Sequence, residues 1–332
     1  MTRIAVLGAG SWGTTLADLL ARKGHDVRIW AYEPDVVSAI NESHRNPLFL
    51  PDAPLAPALR ADRDTGEVVH GAEIVLSAAP SHAVRSVIER ARESITPGAL
   101  VVSATKGIEN ESLALMSQVI SELLPGARFA ALSGPSFARE VIEGQPTAVV
   151  AAADDAATAE AVQEVFSTPR FRVYSNHDVI GVELAGALKN VIAVATGMLE
   201  GLGLGQNPRA ALITRGLAEI TRLGVAMNAD PMTFAGLAGM GDLILTATGS
   251  LSRNRALGVA LAGGESLEAY SARHRTVAEG ALTSRAAVAL ARRKGVEMPV
   301  TMEVSRILFE GKPARDSVAE LMERDLKSEQ WR

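Results

Sequence analysis

The sequence predicts an α/β protein in two parts: a doubly wound parallel-sheet domain over residues 1–178, then an all-α domain over residues 179–332. Three observations predict it. Short β-branched runs alternate with longer Ala/Leu/Glu-rich stretches as far as residue 176, the pattern of strands joined by helices. A glycine-rich turn, Gly8 to Gly13, links the first run to the first stretch. Beyond Tyr174 no strand run recurs, while apolar residues keep helical spacing.

Composition narrows the function class. A chain of 332 residues can fill two cores. With 47% hydrophobic and 21% charged residues it has the make-up of a folded protein. Aromatics are only 4%, so the core is expected to be Ala, Val, Leu and Ile. The formal net charge of -5 gives no basic field for a nucleic acid backbone. The absence of cysteine removes disulfides, thiolate metal sites and a cysteine nucleophile, and no metal is expected. No window holds 18 consecutive apolar residues, so no membrane span is expected. The first residues are not read as a signal peptide, because the apolar run is short and Ser11 and Asp18 follow it. A cytoplasmic protein is the expectation.

In chain order, strands are expected at residues 3–7, 27–31, 73–77, 100–103, 128–132, 148–152 and 172–174, with helices at 12–23 and 83–93 between them. Right-handed crossovers put the strands' carboxyl ends on one edge, where ligands bind. The second part reads as helices over 182–199, 208–227, 253–262, 281–294 and 303–309. Asn207 is expected to cap the second of these, with Pro208 as its first residue. No flexible linker separates the halves, so a large interface between them is expected.

Gly8-Ala9-Gly10-Ser11-Trp12-Gly13 follows a strand and opens a helix. Gly8 permits the tight turn, Gly10 lets backbone approach a pyrophosphate, and Gly13 lets helix and strand pack closely. Free amides at the helix start then face the diphosphate. Glu33 stands 20 residues after Gly13, just past the second strand, where an acid can bind ribose hydroxyls. The pattern is that of a Rossmann-type dinucleotide site. Glu33 leans towards NAD, because a carboxylate repels a 2′-phosphate. Trp12 reads equally as packing under its helix or as a wall beside the cofactor.

Other residues gather chemistry. Lys106 and Gly107 follow one strand end, and Gly134 and Ser136 follow another. Lys189 lies in a helix that is apolar almost all round, on a face with Val182, Gly186, Ala193 and Thr196. Such a lysine is desolvated, and its pKa falls towards the range useful for proton transfer. Asp242 and Thr246 lie in a small, apolar segment. Ser252, Arg253 and Asn254 open a helix, where amides, dipole and a guanidinium can converge on a phosphate.

At these residues the chain resembles the bacterial branch of the NAD(P)-dependent glycerol-3-phosphate dehydrogenase family. The matching segments include GAGSWGTTLA at 8–17, ATKGIE at 104–109, SGPSFARE at 133–140, GVELAGALKNVIAVATGM at 181–198, GMGDLILT at 239–246, SRNR at 252–255 and VAEG at 277–280. The resemblance runs from Ile4 to about Gly311. It implies NAD or NADP as cofactor, contacted at Ser11, Trp12, Lys106, Ala138, Arg253, Val277 and Glu279. It implies dihydroxyacetone phosphate or sn-glycerol 3-phosphate as substrate, contacted at Lys106, Gly134, Ser136, Lys189, Asp242, Ser252, Arg253 and Asn254. Lys189 matches its proton donor and acceptor, and Asp242 and Thr246 would orient Lys189 or the substrate hydroxyl. A homodimer is expected, with a product that feeds phospholipid synthesis. The chain departs from the family pattern at Tyr32-Glu33, where many members carry a His or a basic residue, and at Phe49, where Tyr is usual. The first departure leaves NAD against NADP open.

Two rival readings remain open. One is a β-hydroxyacid dehydrogenase similar to the 6-phosphogluconate type, which the SRNR and GDLI segments disfavour. The other is a redox-sensing Rossmann module, which would need neither a lysine in an apolar helix nor a second anion site.

Overall fold

The computed structural model describes residues 1–274, 278–326 and 328–329. The β-branched runs form eight strands: β1 (Arg3–Leu7), β2 (Asp26–Trp30), β3 (Arg60–Asp62), β4 (Ile74–Ser77), β5 (Leu100–Ser103), β6 (Arg128–Ser133), β7 (Thr147–Ala152) and β8 (Phe171–Asn176). They build one sheet in the order β3-β2-β1-β4-β5-β6-β7-β8. The first six are mutually parallel. Their order is the doubly wound one, with a crevice where the connections diverge between β1 and β4. β4 and β5 are buried throughout, which is why they read as unbroken apolar runs.

Two features depart from expectation. β3 has no β-branched run and was not expected. It is a three-residue edge strand whose outer backbone is bound by the Asn41 side chain, which donates to the Ala61 carbonyl and accepts from the Ala61 amide, both at 2.9 Å. The sheet is also not parallel throughout. β7 runs antiparallel to β6, and β8 follows β7 in parallel, so these two strands present their amino ends at the ligand edge. The connection between β6 and β7 contains only the five-residue helix Ala138–Ile142. Such a helix spans about 7.5 Å, against about 20 Å for a six-residue strand, so the helix does not by itself return the chain to the far edge.

The all-α part surrounds the helix Val179–Gly201, which is almost wholly buried. By length and composition this helix could cross a membrane, but here it is the core of the protein. The helix Gln206–Ala226 is capped by Gly205, so Asn207 and Pro208 fall inside the first turn. Proline is tolerated there because the amides of a first turn lack intrahelical partners. One apolar cluster joins Ala131, Val150 and Ala152 of the sheet to Val182, Ala185 and Leu188 of the buried helix. The two halves therefore share a continuous core.

Close approach of backbones sets that helix in place. A Cβ on Gly258, in the helix Arg253–Ala262, would stand 2.0 Å from the Val194 carbonyl oxygen and 2.8 Å from the Met198 nitrogen. Neither is a movable side-chain tip. Gly258→Ala is expected to destabilise the fold by about 2 kcal/mol or more, as overpacking against a rigid neighbour does. Urea unfolding curves check this, and an unchanged midpoint would contradict the packing described.

Candidate functional site

The crevice between β1 and β4 starts at the end of β1. Gly8 has φ +122°, and a Cβ there would stand 2.8 Å from the Ala78 carbonyl carbon and the Ala79 nitrogen. A Cβ on Gly13 would meet the Gly8 carbonyl oxygen at 1.9 Å. At Gly10 a Cβ would meet nothing within 4 Å, so that backbone is open to a ligand. Gly10 caps the helix Ser11–Arg22 without a side-chain bond, leaving the first-turn amides of Ser11, Trp12 and Gly13 facing the opening. Asn46 steadies the turn by donating to the Ala9 carbonyl at 2.8 Å and to the Thr14 hydroxyl at 2.9 Å. The fit to a diphosphate is one of shape and of donors.

The neighbouring residues have separate fates. Trp12 is half-buried, packs against the sheet-domain core and has its ring centroid 6.4 Å from that of Phe171; this geometry supports the packing reading. Glu33 occupies the N-cap of the helix Pro34–Ser43, yet its side chain makes no capping bond. It is half-buried beside the exposed Tyr32. Ala138 is brought to the glycine turn by its carbonyl, which accepts from the Thr15 hydroxyl at 3.2 Å.

The second cluster lies where the sheet edge meets the helical part. Lys189 is buried, and its ammonium donates to Asp242 Oδ1 at 2.8 Å and to Thr246 Oγ1 at 2.5 Å. Lys106, reaching from the loop after β5, donates to Asp242 Oδ2 at 2.7 Å and to the Gly134 carbonyl at 2.9 Å. One fully buried carboxylate thus holds two ammonium groups. An ammonium has three donors, and each lysine uses two here, so one N–H on each is unpartnered among the described residues. Burial pushes the Lys189 pKa down to about 8; the Asp242 charge opposes this, and the Lys106 charge adds to it. Burial alone would raise the Asp242 carboxyl, but the charges of Lys106 and Lys189 hold it below its ordinary value.

The small-residue face around Lys189 serves two purposes. Gly186 lies against the Ser133 hydroxyl and the Lys106 stem, while the Thr196 hydroxyl donates to the Ala247 carbonyl at 3.2 Å. Part of the face expected to admit a ligand is therefore covered by the protein itself. Ser252 caps the helix Arg253–Ala262 by accepting the Arg255 amide at 3.2 Å. Arg253 is exposed, and its guanidinium has no hydrogen-bond partner among the described residues. Asn254 faces inward, accepting from the Gly280 amide and donating to the Asn190 side chain, both at 2.9 Å. Ser136 turns its hydroxyl to the Gly134 carbonyl at 2.9 Å. Glu279 accepts from Ser81 of the sheet domain. Val277 lies outside the described residues.

Sequence reasoning missed Asn190 and Ser81. Asn190 follows Lys189 and is one of the few polar side chains in that apolar stretch, with Glu183 and Thr196, so a signal existed. Ser81 stands just beyond a strand end, after Pro80, and its only signal was that position.

Comparison with known proteins agrees across the whole length. Residues 3–159 match the N-terminal part, and residues 178–319 the C-terminal part, of the NAD-dependent glycerol-3-phosphate dehydrogenase family. The glycerol-3-phosphate dehydrogenase [NAD(P)+] of Geobacter sulfurreducens is 57% identical over 99% of both chains. That of Citrifermentans bemidjiense is 54% identical over 98% of both. The crystal structure of the Coxiella burnetii glycerol-3-phosphate dehydrogenase superposes with a TM-score of 0.93 at 42% identity, covering 97% of this chain and 99% of that one.

The shared carboxylate makes a testable electrostatic claim. In Asp242→Asn the negative charge that favours the Lys189 ammonium is gone, while burial and Lys106 still oppose it. The Lys189 pKa is expected to fall further below about 8. An NMR titration of the labelled lysine side chain reads this directly, and a rise would contradict the arrangement.

Proposed function

Because the chain belongs to the NAD-dependent glycerol-3-phosphate dehydrogenase family, we propose that Lys189 is the proton donor and acceptor in this enzyme's reaction. The enzyme is an NAD(P)-dependent oxidoreductase that interconverts dihydroxyacetone phosphate and sn-glycerol 3-phosphate. The observation that carries the proposal is the buried Lys189 ammonium, held by Asp242 and Thr246 with its third N–H available. When bound, the nicotinamide supplies a hydride to C2 of the ketone. The Lys189 ammonium faces the C2 oxygen, stabilises the negative charge growing there and gives it a proton. In the reverse direction neutral Lys189 removes the proton from the C2 hydroxyl. Asp242 and Thr246 fix the direction of the Nζ–H bonds, and Lys106 adds a second donor beside the substrate.

The remaining site residues divide by charge and place. Gly8, Gly10, Gly13, Ser11 and Trp12 offer shape and backbone amides to the diphosphate, with Ala138 beside them and Glu33 for the ribose hydroxyls. Glu279 is read as a contact to the nicotinamide half. Arg253, with Ser252 and Asn254 at its helix start, takes the substrate phosphate, and Gly134 and Ser136 line the same cleft. Lys106, Lys189 and Arg253 outnumber Asp242, the carboxylate that the two lysines share, which suits a doubly charged phosphate ester. A homodimer fits the incomplete cover of the helix Gln206–Ala226, where Val225 is exposed and Leu212, Ile213 and Leu217 are half-buried. We place the enzyme in the cytoplasm, where its product, sn-glycerol 3-phosphate, would supply phospholipid synthesis.

The pH dependence has a definite sign. Reduction needs protonated Lys189, which is present below its pKa; oxidation needs the neutral form, present above it. kcat/KM for dihydroxyacetone phosphate is expected to fall as pH rises through about 8, and that for glycerol 3-phosphate to rise through the same value. Lys189→Ala should lower kcat by roughly 10²-fold or more while leaving NADH affinity nearly intact. Near-normal turnover in this variant would refute the assignment.

Arg253 is tested by removing the phosphate from the substrate. Wild type should strongly prefer dihydroxyacetone phosphate to dihydroxyacetone. Arg253→Ala should lose about 1.5–3 kcal/mol of that preference, the scale of a hydrogen bond to a charged group. Because the phosphate is remote from C2, part of the loss should appear in kcat. Full retention of the preference would move the phosphate towards Lys106.

A further inference from the structure

Ser81 lies four residues beyond β4, on the rim of the crevice between β1 and β4. It is 1% exposed. Its hydroxyl donates to Glu279 Oε2 at 2.6 Å and its amide to Glu279 Oε1 at 3.1 Å. Both carboxylate oxygens of the first residue in the helix Glu279–Lys294 are therefore bound by one residue of the sheet domain. Gly107 closes the third side: a Cβ there would stand 2.4 Å from Ser81 Cβ and 3.0 Å from Glu279 Oε2.

We propose that Ser81 is a positioning residue for the cofactor, holding the Glu279 carboxylate across the rim of the nicotinamide half of the crevice. The proposal rests on the reading of Glu279 as a cofactor contact. Two donors converging on a charged acceptor fix both its place and its orientation, and such bonds are stronger than neutral ones. The alternative partner for Glu279 is the guanidinium of Arg253, which lies within its electrostatic reach. A carboxylate released from Ser81 would be drawn to that cation, leaving the cofactor and competing with the substrate phosphate. The tight space at Gly107 leaves Ser81 little room to move away, so the arrangement is fixed from the sheet side.

The test is a double-variant cycle on the full chain, read as the dissociation constant of NADH by fluorescence titration. Ser81→Ala should weaken NADH binding roughly tenfold, the scale of one hydrogen bond to a charged group. kcat at saturating NADH and dihydroxyacetone phosphate should stay within about twofold of wild type, since the reacting groups are untouched. Glu279→Ala, which removes the bridge altogether, should also weaken binding, and adding Ser81→Ala to it should cost nothing further. Additive weakening in the double variant, or no weakening in Ser81→Ala while Glu279→Ala weakens binding, overturns the role of Ser81. Unchanged binding in Glu279→Ala overturns the Glu279 contact and the proposal with it. If Ser81→Ala folds poorly, Glu279→Asp breaks the same bridge from the other side. Its shorter carboxylate keeps the charge but falls short of Ser81, and it should reproduce the loss of NADH affinity; retained affinity overturns the proposal.

Discussion

The Asp242 carboxylate, shared between Lys106 and Lys189, is the interaction on which the rest of the site depends. Its two oxygens point to two different parts of the molecule. One meets the loop after β5, and the other meets the buried helix Val179–Gly201. A buried charge is tolerated only when it is paired and its other bonding capacity is used. Here each ammonium has a second acceptor, the Gly134 carbonyl for Lys106 and the Thr246 hydroxyl for Lys189. Removing Asp242 would leave two ammonium groups without their counter-charge in a buried region. The sheet edge and the helical part are thus held in register by the same groups to which the proposed proton transfer is assigned.

This constraint explains local features that would otherwise look costly. Asp242 comes directly after a stretch of π-helix, Leu237–Gly241, and such turns recur at functional sites because they re-aim the side chains of the next helical turn. Gly239 within it has no space for a side chain, as a Cβ would stand 2.1 Å from the Phe234 carbonyl oxygen. The helix carrying Lys189 is likewise locked, by backbone contact with the helix Arg253–Ala262 at Gly197 and Gly258. A lysine with a lowered pKa is useful only if its nitrogen is fixed relative to the reacting atom. Rigid helices on both sides provide that fixing, whereas a surface loop would not.

Much of this was legible in the sequence, and the reasons for what was not are specific. The glycine turn and Lys189 could be read because each is a local signal: a glycine spacing in one case, and a cation inside an apolar periodicity in the other. β3 could not be read, because its stability comes from β2 and from the Asn41 side chain. The reversal at β7 depends on the course of the chain between β6 and β7, and strand patterning carries no sign of direction. The bridge from Ser81 to Glu279 joins residues 198 apart in the chain, and nothing local to either names the other. The partners of Lys189 lie 53 and 57 residues away; the sequence marked both Asp242 and Thr246 as candidates, but only the fold shows which atoms they touch.

The contrast among buried carboxylates in the helical part shows how environment, not residue type, assigns the role. Glu183 sits six residues before Lys189 on the same helix, so it is the obvious sequence neighbour for a lysine partner. The helical repeat places it on another face, where it accepts from the amide and hydroxyl of Ser117 and fastens the helix Met116–Leu123 to the helical part. Glu219 does the same for the helix Pro299–Glu310, taking the amides of Val300 and Thr301. Burial dominates both groups and raises their pKa values to about 7. Neutral donors soften that rise but do not reverse it. Asp242 is as deeply buried, yet its two ammonium partners keep it ionised. Of these three acids, Asp242 is the one bonded to lysine ammonium groups, and so the one placed to tune a lysine for proton transfer. The other two do structural work with the same carboxylate chemistry, as helix caps, because their positions on the helical repeat turned them towards backbone amides instead.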